Sequence, residues 1–137
     1  MPTSTPAGAW LARADPDHEH ADRWLKSAGV VLLPLGRFWS AVRCDGYDGL
    51  AAAAAVSGPI VHDPVGQVVY FLVPTSTEWP DLPGSQLLGD TCWLAVPAPD
   101  RLEPPGVHWL QAPDGSGLLV DPAALAAAFT ARTAVVR

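Results

Sequence analysis

Two apolar runs set the pattern of this chain, Val30 to Leu35 and Phe38 to Cys44, separated by Gly36-Arg37. Runs of that length with a glycine-containing break predict the two strands of a hairpin. The first is almost continuously apolar, which predicts cover on both of its faces. Pro34 cannot donate a ladder hydrogen bond, so that end of the strand belongs at an edge or a bulge. The second run alternates Phe38, Ser40, Val42 and Cys44 with Trp39, Ala41 and Arg43. Upstream, Asp15 followed by Pro16 predicts a capped helix start, with the helix running to Ala28 and stopped by Gly29. Ala21, Trp24, Leu25 and Ala28 share one of its faces. Met1 to Ala14 reads as a flexible arm ahead of a single domain over residues 15–137, with Trp10 and Leu11 the two side chains able to dock on it.

Downstream, Asp48 can cap a short helix over Gly49 to Val56, built on five consecutive alanines that favour helix and give it a thin profile. Ile60 to His62 and Gln67 to Val73 flank Asp63-Pro64-Val65-Gly66, whose residues are those of a β-turn, and predict a second hairpin. A Pro/Ser/Thr loop from Thr75 to Ser85 carries Trp79. Gln86 to Leu88, Thr91 to Val96 and Val107 to Gln111 are further strands, with Leu118 to Val120 a candidate for one more. Asp121-Pro122 repeats the cap-and-proline signal for a last helix to about Arg132, with Leu125, Ala128 and Phe129 inward. Strands grouped between helices, not alternating with them, predict an α+β domain. Its sheet is largely antiparallel, of five to seven strands, flanked by the N- and C-terminal helices and the Ala-rich one.

Composition narrows the function classes. With 49% hydrophobic and 16% charged residues over 137 positions, the chain can bury a core of its own. The net charge of -6 and the lack of any Lys/Arg cluster remove the electrostatic footprint of nucleic-acid binding. Cys44 and Cys92 have no metal-ligand spacing, and a buried free thiol fits each. No stretch reads as a signal peptide or a membrane span, which points to the cytoplasm.

Candidate chemistry is scattered. His18, Glu19, His20 and Asp22 resemble metal ligands in type, yet His18 and His20 point to different faces of a helix, and a solvated acidic first turn explains them as well. Asp63 could act as a general base or hold its turn. His108 could act as an acid/base or sit hydrogen-bonded in a sheet. Asp45 and Asp48 could share a divalent cation or serve as caps. Arg37, Arg43 and Arg101 could recognise an anion if the fold gathers them. There is no G-x-S-x-G elbow and no phosphate-cradling glycine loop.

The segments GVVLLPLGRFWSAVRCD, GPIVHDPVGQVVYFLVP and LLGDTCWLAVPAPDRLEPPGVHWLQAP resemble small actinobacterial proteins related to the N-terminal domain of bifunctional DNA primase/polymerases, over about Val30 to Leu125. The resemblance implies an antiparallel sheet with flanking helices and, in catalytic members, a pair of acids on the strand corresponding to Phe38–Arg43 that holds divalent metal. Here Trp39, Ser40 and Arg43 stand there, with Asp45 the nearest acid. Two-metal chemistry needs several oxygen ligands. The expectation is therefore a non-catalytic accessory or regulatory domain on that scaffold, needing no cofactor and binding a protein partner or a small ligand. Trp79 and Trp109 are its first candidate contacts, since exposed tryptophan is enriched at binding hot spots; the alternative is that both tuck under their own loops as small satellite cores. The alternatives are a nucleotidyl-transfer enzyme with Mg²⁺ or Mn²⁺ on Asp45, Asp48 and Asp63, and nucleic-acid binding without catalysis.

Overall fold

The computed structural model describes residues 5–135, the last four by backbone alone. The order is α1 (Pro6–Ala12), α2 (His18–Ser27), β1 (Val30–Pro34), β2 (Ser40–Asp45), α3 (Gly46–Ala53), β3 (Ile60–Asp63), β4 (Val68–Val73), β5 (Ser85–Leu88), β6 (Trp93–Pro97), β7 (His108–Gln111) and α4 (Pro122–Val135). The domain is α+β and its pairings are antiparallel, but its strands form two sheets: a β1–β6 ribbon, and a five-stranded sheet ordered β5-β2-β4-β3-β7.

The five-stranded sheet lies between two apolar layers. One face carries Ala41, Val61, Leu72 and Trp109, which pack with Leu11, Leu25, Val31, Leu33 and Val96 from α1, α2 and the ribbon. The other carries Val42, Cys44, Ile60, Val69 and Phe71, which pack with Ala52, Leu125 and Phe129 of α3 and α4. Strands covered on both faces read as continuous apolar runs, and that is the case for β4, whereas β2 is interrupted by exposed Arg43 and Asp45. The thin profile of α3 has a use. A Cβ at Gly49 would stand 2.9 Å from Val69 Cβ, so the helix lies almost directly on the sheet. Among the described residues, no helix is long and apolar enough to cross a membrane.

Four expectations are corrected. The two central runs do not pair with each other: β1 pairs with β6, and β2 with β4 and β5. The bend between them is held by Leu35 N–H to the Cys92 carbonyl and Gly36 N–H to that of Trp39, both at 2.9 Å. Second, the arm is part of the fold from Pro6 onward. Thr5 Oγ1 accepts from Gly8 N–H, Pro6 opens α1, Leu11 is fully buried and Trp10 stacks on Trp39 at 6.1 Å. Third, Asp17, not Asp15, caps α2, while Asp15 accepts from the Asp17 amide at 2.9 Å and from His20 Nδ1 at 2.8 Å. Burial alone would raise the Asp15 carboxyl, but those bonds and the nearby His20 and His18 outweigh it and hold it below the usual range. Fourth, α3 begins at Gly46, so Asp48 lies in its first turn rather than before it. The β3–β4 hairpin and the inward face of α4, Leu125 and Phe129, are as expected.

Candidate functional site

The ribbon is where the structure departs most from the apolar pattern. Its inner residues Val31, Leu33, Leu94 and Val96 are buried, but Leu32 and Trp93 are each 60% exposed. Alternation puts Val30, Leu32 and Pro34 on one face of β1, and register adds Trp93 and Ala95 from β6. That face carries no charged side chain. Beside it Trp24 of α2 is 48% exposed, although helical spacing predicted it inward. His20, Trp24, Val30, Val31, Leu32 and Ala95 line a groove of about 370 Å³. The expectation that both faces of the first run are covered is thus wrong for one face.

The second feature is a histidine pair. His62 on β3 and His108 on β7 are register partners, which places both side chains on one face of the sheet. His62 Nδ1 lies 3.4 Å from His108 Nε2, and the rings meet edge to face at 5.0 Å between centroids. His108 is buried and His62 half-buried. His108 Nδ1 stands 2.9 Å from the Gly106 carbonyl, which can only accept, so this nitrogen carries the proton. Burial holds His62 below the usual imidazole range; His108 adds to this, and Asp63 opposes it. The unfolded chain therefore protonates first as pH falls, and the stability lent by neutral His62 is present above about pH 6.5 and lost as pH drops through the folded value. In thermal melts from about pH 8 to about pH 5, His62→Gln is expected to flatten the acid limb of the wild-type profile; parallel limbs would contradict this.

The remaining candidates are dispersed. Trp109 is 1% exposed, and its indole donates to the Pro97 carbonyl at 2.9 Å, so it is a core residue and not a contact. Trp79 is half-buried against the α3/α4 core and donates to Ser85 Oγ at 2.9 Å, closing its own loop. Arg37 lies exposed in the β1–β2 bend and Arg43 exposed on β2, while Arg101 in the β6–β7 loop rests against Gly29. Three separate segments carry the three guanidinium groups.

Asp45 and Asp63 both pair with Val68, on opposite sides of β4, which sets their backbones two strand spacings, roughly 10 Å, apart. Asp63 Oδ1 accepts from Gly66 N–H at 3.0 Å, the turn role. The alternative Mg²⁺ or Mn²⁺ set of Asp45, Asp48 and Asp63 is therefore not assembled. Among the described residues, no group of three or more His, Cys, Asp or Glu side chains stands close enough to hold a metal ion.

Cys44 and Cys92 are free. Burial, with Asp45 and Asp48 nearby, pushes the Cys44 thiol up to about 12. A thiol reagent is therefore expected to modify half-buried Cys92 in the native protein and Cys44 only on unfolding; equal native reactivity would contradict the burial. No family model, no curated protein and no solved structure matches this chain.

Proposed function

We propose that this chain is a non-catalytic binding domain that docks protein through the outer face of the β1–β6 ribbon, with a second copy of the chain as its occupant. One observation carries the reading: β1 is apolar on both faces and covered on only one. Exposed apolar patches of this kind mark interaction sites on soluble proteins. Two features favour a second copy. The face sets protruding Leu32 and Trp93 beside a groove, so a twofold axis can place each copy's projections in the other's depression. The face is also uncharged, so two chains of net charge -6 can meet there without apposing like charges. The patch is small, which puts the dimer in the weak class, with a dissociation constant on the order of micromolar to millimolar.

The resemblance to primase/polymerase N-terminal domains enters this proposal as scaffold only, and the separated carboxylates lend the nucleotidyl-transfer alternative no support. Two free cysteines suit a reducing, cytoplasmic setting.

Sedimentation equilibrium across that concentration range tests the reading. The wild type is expected to shift from monomer toward dimer, and Leu32→Glu and Trp93→Glu to stay monomeric with unchanged melting temperatures. A wild type that remains monomeric throughout, or a dimer that survives both substitutions, would overturn it.

A further inference from the structure

We propose that His62 and His108 form a transition-metal site, binding one Zn²⁺- or Cu²⁺-class dication through His62 Nδ1 and His108 Nε2 and leaving further coordination positions open to water or an incoming ligand. The site lies on the five-stranded sheet and does not depend on the docking face of the ribbon.

Geometry carries the inference. Two imidazole nitrogens bound at about 2.05 Å to one tetrahedral ion stand about 3.3 Å apart; these two stand 3.4 Å apart without one. As a hydrogen bond the same contact is long, since N–H donors favour about 2.9 Å. The tautomer is already correct on one side. The Gly106 carbonyl holds the proton of His108 on Nδ1, which leaves the Nε2 lone pair aimed at His62. Metal-binding histidines are oriented in the same way, by donating their other N–H to a carbonyl or carboxylate. Strand register sets the two side chains next to each other on one face, and the bond to Gly106 holds the His108 ring in place.

His62 must change more. In the metal-free pair its Nδ1–H is the donor to His108. On binding, that proton leaves Nδ1 and Nε2, on the far side of the ring, takes one up, so the ring stays neutral and no charge is lost. Half-burial of His62 gives the ion a way in. Asp63 is committed to Gly66 and is not a ligand, but it adds negative charge close by. Imidazole donors select Zn, Cu or Ni over Mg and Ca, so this site is distinct in kind from a carboxylate magnesium centre.

The test is a Zn²⁺ titration of the intact protein at about pH 7.5, read by calorimetry and by the ring-nitrogen resonances of the four histidines. One equivalent is expected to bind, shifting His62 Nδ1 and His108 Nε2 and leaving His18 and His20 unmoved. His62→Gln, at the half-exposed position, is expected to lose at least the roughly tenfold in affinity that removing even an outer-sphere partner costs. His18→Ala/His20→Ala is expected to bind as the wild type does. Lowering the pH to about 5 is expected to weaken binding, because histidine holds a metal ion only in its neutral form. Shifts confined to His18 and His20, undiminished binding by His62→Gln, or no ring-nitrogen shift at millimolar zinc would overturn the proposal.

Discussion

Trp109→Ala is expected to cost about 3–5 kcal/mol, the range for emptying a buried tryptophan site, and so to consume much of the total stability of a domain this size. The ring sits in the core between the ribbon and the five-stranded sheet. Its N–H is bonded to Pro97, so truncation leaves both a cavity and an unpaired carbonyl. Trp79→Ala is expected to cost less, about 1–2 kcal/mol, for a half-buried ring and one hydrogen bond. Chemical denaturation of the two variants decides between a core and a contact role; a larger loss at Trp79 would reverse the assignment. A finer comparison uses phenylalanine. Trp39 is as buried as Trp109, but its Nε1 has no partner among the described residues. Trp39→Phe should therefore be milder than Trp109→Phe by about one hydrogen bond, roughly 1 kcal/mol.

Gly58→Ala is expected to destabilise by roughly 2–4 kcal/mol, combining backbone strain with overpacking. Gly58 has a φ of +136°, which side-chain-bearing residues rarely adopt, and an added Cβ would lie 2.8 Å from Val120 N and 3.0 Å from Val120 Cα. Val120 cannot easily give way. It is fully buried and its N–H is bonded to the Leu72 carbonyl at 2.8 Å. The same change at Gly106, where a Cβ would meet nothing within 4 Å, isolates the strain of a positive φ from the clash. Denaturation midpoints should fall further for Gly58→Ala; equal losses would show that the contact with Val120 is unimportant.

How much of this was legible in the sequence depended on how local each signal was. The β3–β4 hairpin was readable because Asp63-Pro64-Val65-Gly66 marks its turn within a few residues, although Gln67, expected to open the second strand, joins the turn at a φ of +56° and Asp63 pairs with Val68. The cap-and-proline signal at Asp121-Pro122 found α4 for the same reason, and Asp121 Oδ1 does accept from Ala123 N–H. Thr5-Pro6 carries the same signal at the start of α1, but the small residues around it supply no helical period to support it. The supposed central hairpin failed because Leu35-to-Trp39 is a bend between two sheets, and each strand takes its partner from far along the chain. No period in the sequence reports that choice. The exposed face of β1 was hidden for a related reason: an apolar run shows that both faces want cover, not that the chain supplies it. His62 and His108 are 46 residues apart and become neighbours only through β3–β7 pairing. Once those strands are paired, the two histidines are found by register alone.

The claim on which the functional account rests is that the outer face of the ribbon is a docking face for another copy. Methyl resonances followed from tens of micromolar to about 1 mM protein test it residue by residue. Progressive, saturating shifts are expected at Val30, Leu32 and Ala95, with Val42, Val69 and Leu125 of the opposite core unmoved. Shifts that never develop, or that develop on another surface, would contradict it.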